Sequence, residues 1–208
     1  MIIKTLAVGP IMANCYIVGC ENTKQAAVID PGDEVDKILM AAAESQLTVK
    51  YILNTHGHFD HVGGNRRMKD ATGAELLIHS QDARMLETLP QAAAAFGLSA
   101  ESSPPPDGNI ADGESISFGD ITFRVLHTPG HSPGGVSFHS NGALFVGDTL
   151  FAGSIGRTDF EGGDFNTLIT SIKNKLLPLG DDVTVYTGHG PTTTIGQEKR
   201  MNPFLHMA

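Results

Sequence analysis

Val49-Lys50-Tyr51-Ile52-Leu53-Asn54-Thr55-His56-Gly57-His58-Phe59-Asp60-His61 carries an apolar, strand-like run straight into a turn with four metal-binding side chains in six residues. The spacing dictates the backbone. On a helix, residues i and i+2 point about 200° apart, so His56 and His58 can share a metal only in an extended turn, where alternate side chains face the same way. Gly57 permits the sharp path such a turn needs. Asp60 and His61 then fall where the chain enters a helix, displaced from the first pair and suited to a second, adjacent ion. Histidine with carboxylate is the usual ligand set for zinc or another first-row divalent metal.

Around this segment, β-branched apolar runs are separated by turn signals. They predict strands at Ile2–Val8, Cys15–Val18, Ala26–Ile29, Val49–Leu53, Glu75–Ile78, Ile121–Leu126, Gly135–Phe138, Ala143–Val146 and Val183–Tyr186. Helical periodicity marks Glu34–Gln46, Val62 to about Ala71, Ser80–Leu89, Phe165–Leu177 and Ile195–Met201. The class is α/β or α+β. Strands arrive in runs, so two mixed sheets flanked by helices fit better than one doubly wound parallel sheet. Three more ligand candidates stand at strand ends beside glycine or proline: His131 after Thr128-Pro129-Gly130, Asp148 after Ala143–Gly147, and His189 between Gly188 and Gly190. Strand ends on one sheet edge are where distant side chains converge on a ligand.

Five histidines and two aspartates make two ligand sets. His56, His58 and His131 are expected on one ion, Asp60, His61 and His189 on the other, with Asp148 as the bridge. A buried cluster of imidazoles and carboxylates without metal would strand several polar groups. Two divalent ions are therefore expected, zinc first, with iron and manganese as alternatives. Such a pair lowers the pKa of water towards ~7, which makes hydrolysis the expected chemistry, with Asp60 and Asp148 closest to it. His79, His127, His139 and His206 lie outside these turns and read as structural or surface residues.

Composition sets the remaining bounds. A length of 208 residues suits one domain, and the run Ser102-Ser103-Pro104-Pro105-Pro106-Asp107-Gly108 within Ser99–Asn109 reads as a surface loop between its halves. A formal charge of −9 with only 14 dispersed Lys and Arg argues against nucleic acid or an acidic membrane as partner. The N-terminus shows no leader pattern, and no segment reaches the ~20 apolar residues that span a bilayer. Cys15 and Cys20 are too few for a disulfide framework and read as reduced core filler, which points to the cytoplasm.

At these residues the sequence resembles the metallo-β-lactamase superfamily, with its His-x-His-x-Asp-His segment followed by a distal His, Asp and His. The resemblance runs from Asp30-Pro31-Gly32 to Gly188-His189-Gly190-Pro191. It implies a four-layer αββα sandwich with a metal site at one sheet edge. Within the superfamily the chain looks most like short, single-domain relatives of glyoxalase II, the hydroxyacylglutathione hydrolases, without their C-terminal helical glutathione-binding domain. That likeness implies a small thioester substrate such as S-lactoylglutathione. Where the family places a base and a tyrosine on glutathione, Gly156-Arg157-Thr158-Asp159-Phe160 keeps only the base, so Arg157 is the expected substrate contact. The same run also resembles persulfide dioxygenases, which use one iron. A non-catalytic metal-binding or redox module of flavodiiron type is the reading from another class. It expects a carboxylate where His58 stands.

Overall fold

The computed structural model describes residues 1–206. Its first sheet holds β1 (Ile2–Val8), β2 (Ala13–Gly19), β3 (Gln25–Ile29), β4 (Thr48–Leu53), β5 (Glu75–His79) and β6 (Gly108–Ile110), side by side in that order. The first three strands form an antiparallel meander, and β3 to β6 run parallel. Parallel neighbours need crossovers. Here α1 (Val35–Glu44) joins β3 to β4, and α2 (Phe59–Val62) with α3 (Asn65–Thr72) joins β4 to β5. A 3-10 turn at Ala83–Glu87 and α4 (Leu89–Ala94) follow β5.

The second half begins with β7 (Ser115–Phe118), β8 (Ile121–His127), β9 (Val136–Ser140) and β10 (Ala143–Gly147), then a small hairpin of β11 (Leu150–Phe151) and β12 (Ser154–Ile155). Next come α5 (Phe165–Ser171), β13 (Thr184–Thr187), β14 (Thr193–Thr194), α6 (Ile195–Met201) and α7 (Pro203–His206). The second sheet has the order β14-β13-β10-β9-β8-β7. Because β8 and β10 are each antiparallel to β9, and β13 is parallel to β10, the strands β8, β10 and β13 all point the same way. Their C-terminal ends therefore emerge on one edge.

Alternation along the strands separates three apolar layers. In β2, Cys15 and Ile17 pack with Val35, Ile38 and Met68 on the outer helices, whereas Tyr16 and Val18 pack with Phe123, Phe138 and Phe145 between the sheets. In β10, Phe145 faces that inner layer, and Leu144 and Val146 join Leu168, Ile172 and Ile195 beneath α5 and α6. The result is helix, sheet, sheet, helix. Phe118, Phe123, Phe138 and Phe145 are fully buried, each contributing ~1.5–3 kcal/mol of transfer free energy. Both cysteines are buried free thiols, as their reading as core filler requires. No helix among the described residues is long and apolar enough to cross a membrane.

Four elements differ from the sequence reading. The helix expected from Val62 to Ala71 is two helices broken at Gly63-Gly64, where the Gly64 N–H donates to Pro31 O at 2.8 Å. A Cβ on Gly64 would lie 2.4 Å from that same carbonyl. The helix expected at Ser80–Leu89 is instead the 3-10 turn, with α4 beginning at its end. The helix expected at Phe165–Leu177 is α-helical only to Ser171 and continues as a wide π-type turn over Ile172–Leu176. The surface loop expected at Ser99–Asn109 ends in β6, an edge strand that pairs with β5 through Leu77, Ile78 and His79. Strands β6, β7, β11, β12 and β14, each two to four residues long, lie outside the expected strands.

Candidate metal centre

The seven expected ligands come from four turns, each after a strand. His56, His58, Asp60 and His61 follow β4, His131 follows β8, Asp148 follows β10 and His189 follows β13. Room at the centre is made by backbone without side chains. Gly147 closes β10 at φ 51°, in the left-handed region open to glycine, and a Cβ there would strike Thr55 Oγ1. A Cβ on Gly188 would lie 2.0 Å from Asp148 Oδ1.

Two triads result. His58 Nδ1 lies 2.9 Å from His131 Nε2, with the His56 ring stacked edge-on against both. In the other, His61 Nε2 stands 3.2 Å from His189 Nε2, while Asp60 Oδ2 stands 3.6 Å from His61 and 3.3 Å from His189. Ligands about 2.0–2.1 Å from a tetrahedral ion are separated by about 3.4 Å, so the edges of this triad match such a cage. Asp148 lies between them. Its Oδ2 is 3.5 Å from His131 Nε2, and its Oδ1 is 3.4 Å from His61 Nε2. His56 Nε2 and Asp148 Oδ1 are buried without a hydrogen-bond partner. Both are buried lone-pair donors with no proton to accept, which a cation satisfies, so the donor set fits two divalent ions.

Hydrogen bonds outside the triads fix which ring nitrogen faces inward. The His61 Nδ1–H donates to Asp30 Oδ2 at 3.1 Å, and the His131 Nδ1–H donates to the Arg157 carbonyl at 2.7 Å. The Thr55 hydroxyl donates to Asp30 Oδ2 at 2.6 Å, leaving its oxygen to accept from His56 Nδ1 at 3.0 Å. Each of these three rings thereby turns an Nε2 lone pair to the centre. Asp30 serves both triads at once.

A second aspartate braces the loops themselves. Asp82 is fully buried and accepts from Gly57 N at 3.0 Å, Ser132 Oγ at 2.7 Å and Gly134 N at 2.6 Å, tying the His56–His58 turn to the His131 turn. Asn14 fixes the last turn by donating from Nδ2 to Thr187 O and Gly190 O, both at 2.9 Å. Sequence reading did not find Asp82, Thr55 or Asn14. The only local signal was the Asp30-Pro31-Gly32 turn, and it gave no role for the side chain.

The electrostatics favour positive charge at the centre. Burial, then the neighbouring imidazoles His61 and His58, push His56 well below the ordinary histidine range. Burial and then His131 bring His58 down to about 4. Both rings are therefore neutral donors at neutral pH. Burial alone would raise the Asp148 carboxyl, but His61, His131 and His189 hold it far below the usual carboxylate range. Burial would lower His61, yet Asp148, Asp30 and Asp60 raise it well above its ordinary value.

Asp148, His58, His131 and His189 open onto a cavity of about 740 Å³, whose wall includes Met85, Phe96, Phe151 and Phe160. Arg157 lines it too, but its guanidinium is held bidentately by Asp159 at 2.7 and 2.6 Å and lies 3.8 Å over the Phe160 ring. The side chain expected on the substrate is thus paired within its own loop by an exposed ion pair, while its carbonyl orients His131. His79 and His127 stack at 4.3 Å well apart in role from the centre, and His139 and His206 join no ligand group among the described residues.

Residues 8–189 match the family model of the metallo-beta-lactamase superfamily. Hydroxyacylglutathione hydrolase GloC of Haemophilus influenzae is 43% identical over 99% of both chains. Among solved structures, BLEG-1 B3 metallo-beta-lactamase superposes with a TM-score of 0.92 at 40% identity, covering 98% of this chain and 99% of its own. TTHA1623 in a di-iron-bound form superposes with a TM-score of 0.89 at 41% identity, covering 97% of this chain and all of its own.

Proposed function

The chain belongs to the metallo-β-lactamase superfamily, and we propose that within it this protein is a dinuclear hydrolase of thioesters, with S-lactoylglutathione as reference substrate. The observation that carries the reading is the position of Asp148, whose two oxygens lie 3.4 Å from His61 and 3.5 Å from His131. One carboxylate thus edges both triads. A mononuclear centre, as in a one-iron dioxygenase, would leave one triad idle, and a pure binding module has no use for a cavity opening on the ligands. Zinc is the first candidate metal, with iron next, in keeping with the di-iron form of TTHA1623.

Bound there, two divalent cations supply Lewis acidity and lower the pKa of water into the neutral range. The chain's own groups do the rest. Asp30, Thr55 and the Arg157 carbonyl hold three imidazoles in the tautomer that leaves Nε2 free. Asp60 Oδ2, 3.3 Å from His189, is placed to accept a hydrogen bond from the attacking water. Among the described residues the cavity lining contains no lysine or tyrosine, and its histidines all belong to the two ligand sets. A thiol, with a free pKa near ~8.5, departs without a side-chain acid, whereas an amine leaves poorly unprotonated. Thioesters are therefore favoured over amides. GloC, a named hydroxyacylglutathione hydrolase, supports the same choice, and the two buried free thiols support the cytoplasmic reading.

Metal analysis of protein purified without added metal, paired with turnover of S-lactoylglutathione, tests this. Two equivalents of metal and chelator-sensitive thioester hydrolysis are expected. A single equivalent at full activity, or turnover of a β-lactam with none of any thioester, refutes it.

A further inference from the structure

The cavity has a chemical polarity that the metal ligands do not explain. At its inner end stand His58, His131, Asp148 and His189, and beyond them the wall turns apolar. The Phe160 ring meets His58 edge-on at 5.3 Å, Phe96 lies 6.3 Å from Phe160, and Phe59 lies 5.4 Å from Phe96. Aromatic rings therefore line the wall from His58 to the exposed Phe96, with Phe59 packed against Phe96 from the ligand turn. Met85, Ala92 and Ala95 from the segment around α4 line the same wall. Phe96, 52% exposed, carries this apolar surface to the rim.

The charges point the same way. Arg157 is the lone cation among the described lining residues, and Asp159 already neutralises it through two hydrogen bonds. Glu161 adds a negative charge to the rim. A carrier with carboxylates, such as glutathione, must compete with Asp159 for the one arginine there, whereas an alkyl or aryl chain finds an apolar surface.

We propose that this wall is an acyl pocket, so that the preferred substrates are thioesters of apolar acyl groups, selected by the acyl chain and not by the thiol carrier. The proposal rests on the hydrolase reading above. Each added methylene removed from water contributes ~0.8 kcal/mol, equivalent to about fourfold in kcat/KM while the chain still lies on the wall.

The test uses the metal-loaded protein with acetyl, butyryl, hexanoyl and octanoyl thioesters, each on N-acetylcysteamine and on glutathione. The expected result is a rise of about fourfold per methylene on both carriers, with a carrier preference below tenfold. Phe96→Ser, at an exposed position, is expected to reduce the octanoyl-to-acetyl ratio at least tenfold. A flat chain-length series, or a thousandfold preference for glutathione, overturns the proposal. Calorimetric binding of octanoate and acetate to the same protein separates the two levels of the argument. Tighter octanoate binding with no thioester turnover keeps the apolar pocket and removes the hydrolase reading, whereas equal binding of the two acids removes the pocket.

Discussion

Asp82→Asn tests whether the centre is held from outside its ligands. The carboxylate accepts three hydrogen bonds, two at Oδ2 from Gly57 N and Ser132 Oγ and one at Oδ1 from Gly134 N. An amide has one oxygen. Its best arrangement keeps that oxygen on Gly134 and donates from nitrogen to Ser132 Oγ, whose hydroxyl can rotate, so the Gly57 N–H loses its acceptor. Orphaning a buried N–H costs ~1–3 kcal/mol, and replacing two charge-assisted bonds by neutral ones costs ~1 kcal/mol each. Relief from burying a charge offsets part of this, leaving a net destabilisation of ~2–4 kcal/mol. For a chain of this size that corresponds to a fall in Tm of roughly 5–15 °C. The assay is thermal unfolding followed by circular dichroism on chelator-treated protein, so that metal does not mask the effect, together with a metal-binding isotherm. Affinity should fall first at the site of His56, His58 and His131, whose two turns Asp82 joins, because Asp30 still holds His61. A Tm shift below ~1 °C, or loss confined to the site of Asp60, His61 and His189, would refute the reasoning.

Asp148→Asn is expected to lower bound metal to one equivalent or less, because the carboxylate stands within 3.7 Å of nitrogens in both triads; a variant with two tightly bound ions and unchanged turnover contradicts the bridge. His189→Ala is expected to empty the second site while one equivalent stays on His56, His58 and His131, and metal analysis showing equal loss of both ions would mean the ligands are divided wrongly. In chelator-treated protein the His58 ring should titrate at about 4 instead of 6.5, read from its imidazole proton resonances. The unfolded chain binds that proton below ~6.5 and the native chain only near 4, so His58 draws stability down as pH falls across that window; a His58 transition at or above 6.5 contradicts the account.

The fold was legible where local pattern and tertiary role coincide. Ile2–Val8 and Ile195–Met201 begin and end as read, the first because its apolar alternation fits a strand and the second because the Thr194 side chain caps it by accepting from Gln197 N. The reading failed where a distant group decided the backbone. Nothing near Gly63-Gly64 announces that Pro31 and Gly32 will press against that helix and break it. The Ser80–Leu89 periodicity is real, but the Asp82 N–H is taken by His79 O and its side chain by Gly57, Ser132 and Gly134, so a tight turn replaces the first helical residues.

The centre divides along the same line. The ligands we propose are legible because chelation would impose local spacing: His56 and His58 would alternate, and Asp60 and His61 would be displaced from them. The groups that make those ligands competent impose no spacing. Asp30 reaches His61 across 31 residues of chain and Thr55 across 25, and Asp82 reaches Ser132 across 50; at none of these separations does a single aspartate leave a periodic trace. The rings also differ in a way no residue letter records, with His58 presenting Nδ1 to the centre while His61 and His131 present Nε2. A chain could therefore keep every histidine of the motif, lose Asp30 or Asp82, and no longer hold the lone pairs where an ion needs them. On the proposed assignment the ligand pattern announces a metal centre, and the buried aspartates outside it are expected to decide whether that centre can form.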